Sequence, residues 1–222
     1  MTRERDSTRR AVEFERIRDA LHAAGLPSED FGRHTTDRYP HTIRPAVFDD
    51  RAAVPILLAV LPTLSHPDAR EALVSHLATP HSRPSAAPPL IRLFRDSSIL
   101  GESSLKWTIG NALSFATTKQ HADELLELAL DSRHGRGRQM IVDRLGRISG
   151  NPRVIDALKK LSTDPEVSLH ALAGLRWRLE TAEALEIIHS LLTHPSEGVR
   201  RGAEYNMRKL RRKLKKLSER SE

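Results

Sequence analysis

The sequence contains no cysteine, which excludes disulfides and thiolate metal sites and makes a cytoplasmic setting the simpler expectation. Aromatic residues make up only 4% of it. Long apolar runs are also missing. The N-terminal stretch MTRERDSTRRAVEFER carries charges where a signal peptide needs an apolar core, and AAVPILLAVLPTL, from Ala52 to Leu64, is too short to cross a bilayer. No membrane insertion is expected. No alternation of β-branched and polar residues persists long enough to suggest a strand. Phosphate-cradling G-x-x-x-x-G-K and zinc-binding H-E-x-x-H are absent, and no two of the 11 histidines stand four apart on one helical face. These absences leave no catalytic residue, metal or cofactor to assign.

What is present begins with charge. The chain carries a formal net charge of +7, and residues 198–222 alone hold ten Lys or Arg against three Glu, leaving 26 basic and 26 acidic residues elsewhere. The whole imbalance therefore belongs to the closing segment RRGAEYNMRKLRRKLKKLSERSE. A concentrated positive charge attracts phosphate-rich or acidic partners, without deciding between them.

An internal repeat organises the rest. AREALVSHL from Ala69, LKWTIGNAL from Leu105, GRQMIVDRL from Gly137, VSLHALAGL from Val167 and VRRGAEYNM from Val199 align at spacings of 36, 32, 30 and 32. Each begins with a small or apolar residue, repeats that character at its fifth position and ends on Leu or Met at its ninth. Steps of four keep these anchors on one helix face. A further apolar helical stretch precedes each segment: Val54 to Leu64, Leu90 to Phe94, Leu125 to Leu130, Val154 to Leu161 and Ala184 to Leu192. Turn signals SHPD, RDSS, DSRHG, STDPE and THPSEG separate the two members. The expected fold is all-α, with about five helix pairs across residues 51–222. Residues 1–50 add an N-terminal amphipathic helix, with Val12, Phe14, Ile17, Ala20, Leu21 and Ala24 as its apolar residues and Gly25 as its stop. An irregular connection follows, pinned by Phe31, Tyr39, Val47 and Phe48.

TDPEVSLHA at 163, HPSEGVRRGA at 194 and LGRI at 145 resemble the short HEAT-like repeats of bacterial α-solenoids, whose turns read D-P-x-V-R-x-x-A. The resemblance covers about residues 52–210 and implies stacked helix pairs with inner helices lining a concave surface, the first helix and the basic last helix serving as caps. It also implies that basic residues at the second repeat position, Arg70, Lys106, Arg138 and Arg200, bond turn carboxylates such as Asp96, Asp131 and Asp164. Di-iron hydroxylases built on such repeats need His-Glu dipeptides, and the sequence has none. His66 and His194, each before a proline, are expected to cap turns.

Offsets of two, six and ten from the first anchor avoid the core and place Trp107, Asn111, Asp143, Arg147, Trp177, Tyr205 and Lys209 on the inner face. The two tryptophans would either line a binding groove or wedge between adjacent inner helices. A second basic cluster, SRHGRGRQMIVDRLGRISGNPR from Ser132, contributes Arg133 and Arg136 near Gly135 and Gly137, where backbone N–H groups would meet an anion or arginines would simply be solvated. In the last segment Met207, Leu210, Leu214 and Leu217 form a narrow apolar stripe. Arg208, Lys209, Arg211, Arg212, Lys213, Lys215 and Lys216 surround it. The segment reads as a structural cap first and an electrostatic footprint second.

The resemblance and the missing catalytic constellation imply a non-catalytic scaffold that binds a protein partner, with an acidic surface, through its concave face. The alternative is nucleic-acid binding, with the last helix and the arginine cluster on phosphates and the tryptophans stacked on bases. A third reading follows from HEAT-like alkylpurine DNA glycosylases, similar in length and helical architecture, in which Trp107, Asp143 and Trp177 would take the places of the tryptophans and the acidic residue around damaged DNA.

Overall fold

A computed structural model describes residues 2–29, 31, 49–148 and 151–219; Tyr39, Val47 and Phe48 of the expected 26–50 connection lie outside them. The described residues form helices and turns, with no strand among them. Eleven α-helices follow in order: α1 Thr2–Ala23, α2 Asp50–Val60, α3 Pro67–His76, α4 Ala87–Arg95, α5 Ser103–Ala116, α6 Ala122–Leu130, α7 Gln139–Arg147, α8 Pro152–Leu161, α9 Ser168–Arg178, α10 Thr181–Ser190 and α11 Glu197–Ser218. The all-α expectation therefore holds, with two helices at each of the five repeat positions. The chain divides into two units, Met1–Thr117 with α1–α5 and Thr118–Glu222 with α6–α11.

Each turn between paired helices is closed by a side chain accepting from the backbone N–H two residues on, which supplies one of the donors a helix start leaves unsatisfied. His66 Nδ1 accepts from Asp68 at 3.1 Å, Asp96 from Ser98 at 2.9 Å and Asp131 from Arg133 at 3.1 Å. Asp164 accepts from Glu166 at 3.0 Å, and His194 Nδ1 from Ser196 at 3.1 Å. Both histidines thus take the capping role their prolines implied. Two residue types perform one task at five places.

The aligned anchors form the core. The first, fifth and ninth positions of all five segments are buried, from Ala69, Leu73 and Leu77 to Val199, Ala203 and Met207. Burying a leucine fully contributes about 1.5–3 kcal/mol before the entropy of ordering it, so these positions hold the second helix of each pair against its neighbours. The basic second positions fold back on the chain just before them. Arg70 donates to the Leu64 carbonyl at 2.9 Å, Lys106 to the Phe94 carbonyl, Arg138 to the Ala129 carbonyl at 3.2 Å and Arg200 to the His194 and Pro195 carbonyls at 2.8 Å. Their shared role is to satisfy carbonyls at the end of the preceding helix or in the turn after it, where the helix dipole also favours a cation. The expected carboxylate contact is added at Arg138, whose guanidinium lies 2.8 Å from Asp164.

In the first unit α1 packs on α2 and α3 through Phe14, Ile17 and Leu21, all buried. Val12 faces outward, 49% exposed, and its neighbour Glu13 is the buried residue, 4% exposed. Glu13 accepts from Ser65 N at 3.0 Å, Ser65 Oγ at 2.7 Å and His66 N at 2.8 Å, so α1 is tied to the turn that opens α3. Burial alone would raise its pKa, but the hydrogen bonds from Ser65 and His66 and the nearby His66 hold it below the ordinary glutamate value. Gly25, with φ +72°, ends the helix: its own N–H donates to His22 O and that of Leu26 to Leu21 O.

In the second unit α7, α9 and α11 pack side by side, and each also packs against its preceding partner, α6, α8 or α10. The three run parallel. Gln139 donates to the Glu166 carbonyl at 2.9 Å, and further along the same pair Gly146 meets Gly174. Between α9 and α11, a β-carbon on Gly198 would lie 3.2 Å from the Pro165 β-carbon and one on Gly202 3.0 Å from the Leu169 nitrogen. Asn206, fully buried, closes that seam by donating to the Leu169 and Gly202 carbonyls at 3.0 Å.

Candidate functional site

Because α7, α9 and α11 are parallel and pack through their anchors and small residues, the offset positions of the second unit fall into rows on one outward face. One row holds Arg147, Trp177 and Lys209, the next Asp143, Ala173 and Tyr205. Leu169, two places after its anchor, opens the face on α9. It is 38% exposed, Trp177 44% and Tyr205 42%, an unusual concentration of exposed large apolar groups in a chain so poor in aromatics. Leu169 follows the same offset rule that located the tryptophans, but its helical neighbours read as ordinary core.

The centre of this face is an aromatic plane between cations. The Arg147 guanidinium carbon lies 4.6 Å from the Trp177 ring centroid and that of Arg176 lies 5.8 Å away. Across the face, Lys209 Nζ stands 5.3 Å from the Tyr205 ring centroid. Arg147 is itself fixed by the Asp143 carboxylate at 3.0 Å. The indole rests where a β-carbon on Gly146 would be 3.6 Å from its Cε3, so Trp177 fills the seam between α7 and α9 and still presents surface to solvent. On the same helix as Trp177, burial lowers the His170 pKa below the ordinary imidazole value while Asp143 pulls it upward, and its Nδ1 has no hydrogen-bond partner.

Trp107 and Asn111 occupy α5 of the first unit, where both are half-buried. Asp143, the acidic residue of the glycosylase reading, forms an ion pair with Arg147 at 3.0 Å.

The arginine cluster before α7 is largely compensated by carboxylates. Arg133 lies 2.7 Å from Asp131 and Arg136 3.8 Å from Glu166. Arg153 lies 3.0 Å from Asp123. The Arg133 hydrogen bond holds the Asp131 carboxyl down at about 2. Gly135 takes φ +50° within the turn that carries these pairs.

The last helix differs. Met207 and Leu210 are buried, whereas Arg211, Arg212, Lys213, Leu214 and Lys215 are all exposed. The apolar stripe therefore supports the fold through Leu210 and emerges from it at Leu214. The Lys216 and Leu217 side chains fall outside the described residues. Arg208, Arg211, Arg212 and Lys213 make no ion pair among the described residues, and Lys215 lies 3.8 Å from Glu219.

Among the described residues, no group of three or more histidines and carboxylates could hold a metal ion, and no helix is long and apolar enough to cross a membrane. Comparison of the chain with protein-family models, with curated proteins and with solved structures finds no match.

Proposed function

We propose that this chain is a non-catalytic helical-repeat scaffold of the HEAT-like kind, which holds a protein partner with an acidic surface across the exposed face of α7, α9 and α11. The observation that carries the reading is Trp177: a large ring, 44% exposed, held in one orientation by Gly146 beneath and by Arg147 and Arg176 beside it. A rigid aromatic surrounded by cations is the composition of an interface anchor, offering apolar area at low entropic cost together with charge that an acidic surface complements. Leu169 and Tyr205 extend the apolar area, and Arg147 and Lys209 give it its sign. The repeat pattern and the parallel packing of the three inner helices support the scaffold part of the proposal.

A photo-crosslinking residue placed at Leu169, with a control at Glu186 on α10, tests it in cells. The expected product is a discrete protein adduct from position 169 that resists nuclease and disappears when Trp177→Ala is added. Adducts of equal yield from positions 169 and 186, or adducts indifferent to Trp177→Ala, would remove this face from consideration.

A further inference from the structure

We propose that the second half of α11, from Arg208 onward, is an arm that binds the phosphate backbone of duplex nucleic acid, separate from the face built around Trp177 and independent of what that face holds. α11 has 22 residues, whereas α9 has 11 and α10 has 10. Among its described side chains the last buried one is Leu210, and those described after it are exposed. The arm therefore leaves the core while its backbone remains helical.

The distribution of charge identifies the occupant. At about 100° per residue, Arg211, Lys215, Arg208, Arg212, Lys209 and Lys213 cover an arc of about 200° around the axis, and Tyr205 lies within the same arc one turn earlier. Positive charge over more than half of the circumference matches an anion that rises on both sides of a helix, as the phosphates of a duplex groove do. A single acidic protein surface would meet only part of that arc. An anionic membrane would require a broad apolar face with aromatic residues, and the exposed apolar contribution here is Leu214 alone among the described side chains. The contrast within the molecule points the same way: Arg133, Arg136, Arg147 and Arg153 each face a carboxylate, whereas Arg208, Arg211, Arg212 and Lys213 have none among the described residues. On the arm, four such cations stand within one short stretch, Arg208 to Lys213.

The test is fluorescence anisotropy of a labelled 20-base-pair duplex titrated with the full chain over a salt series. Comparison proteins are the quadruple variant Arg208→Gln, Arg211→Gln, Arg212→Gln, Lys213→Gln, a variant with the three arginines changed to lysine, and Trp177→Ala. The full chain should bind with a log–log salt slope between about −3 and −5, the quadruple variant should lose at least about tenfold in affinity at low salt with a slope nearer zero, and the lysine variant should keep the slope. Trp177→Ala should bind as the parent does, which separates this proposal from that for the inner face. Circular dichroism should show the quadruple and lysine variants as helical as the parent, since their substituted side chains are exposed, and binding by Trp177→Ala is compared at a temperature where its circular dichroism matches the parent's. An unchanged slope in the quadruple variant, loss of binding in Trp177→Ala, displacement by poly-glutamate at equal charge concentration, or tighter binding to phosphatidylglycerol vesicles than to duplex would each overturn the assignment.

Discussion

Gly146 of α7 and Gly174 of α9 meet backbone to backbone: a β-carbon on Gly146 would lie 2.6 Å from the Gly174 Cα, and one on Gly174 would lie 3.1 Å from the Gly146 Cα and 3.0 Å from Leu158 Cδ1. Glycine costs each helix about 1 kcal/mol relative to alanine, and here the close approach it permits outweighs that cost. It also sets the seam on which Trp177 rests.

Gly146→Ala should therefore destabilise the second unit despite its better helix propensity. Overpacking at a site where the obstacle is backbone costs about 1–3 kcal/mol, giving a melting temperature lower by roughly 10 °C for a unit of this size. Gly101→Ala is the control, because nothing lies within 4 Å of its added carbon, and it should melt within about 2 °C of the parent. A thermal melt followed by circular dichroism decides it; equal Tm values for Gly146→Ala and the parent would mean that α7 and α9 separate freely.

Arg138 is 1% exposed and links three groups, the Gly135 and Ala129 carbonyls at 2.9 and 3.2 Å and Asp164 at 2.8 Å. Arg138→Met keeps most of its volume but leaves those acceptors unsatisfied and Asp164 without its cation. The loss should be about 3 kcal/mol, with the partial exposure of Asp164 keeping it from being larger. Arg138→Lys should recover less than half of this, since a single ammonium cannot reach three acceptors in different directions. Urea denaturation of the three proteins measures both differences.

Glu13 gives the first unit an acid dependence. Its folded pKa lies below the ordinary value of 4.5, so the stability it contributes is present above about pH 4.5 and is lost as pH falls through its folded pKa. Stability of the parent should decline below that pH, and Glu13→Gln should be less stable at pH 7 with a flatter profile between pH 5 and 3. Denaturant midpoints across that range, read from both proteins, would expose parallel curves if the carboxylate were uninvolved.

The positions of the helices and their turns were legible in the sequence because each depends on neighbours within a few residues. The anchors at Ala69, Leu105, Gly137, Val167 and Val199 mark burial by spacing alone, and His66, Asp164 and their counterparts close turns with backbone groups two residues away. Glu13 escaped notice because its partners are 52 and 53 residues distant, so on its own helix it reads as a solvated charge beside Val12, which is the residue that faces out. Arg136 read as a free cation for the same reason: Glu166 lies in the next repeat's turn, and only folding brings it to Arg136. Gly146 and Gly174 look like weak helix residues until the two axes are seen to touch.

Among its described side chains, the last helix leaves the core after a single residue, Leu210. Up to it, α11 is held by Met207 and Leu210 in the core and by Asn206 bonded to α9; beyond it, Arg211 through Lys215 are exposed. Removing the residues after Leu210 should therefore leave the melting temperature within about 2 °C of the full chain, because exposed positions each contribute only about ±0.5 kcal/mol and the lost like-charge repulsion acts in the opposite direction. Truncating before Asn206 removes the buried amide and both anchors and should cost several kcal/mol through the α9–α11 seam. If both truncations melted early, residues 211–218 would be supporting the fold and the arm would be a cap; if neither did, α11 would contribute nothing to the stability of the unit. A late melt for the first and an early one for the second places the boundary between cap and arm at Leu210.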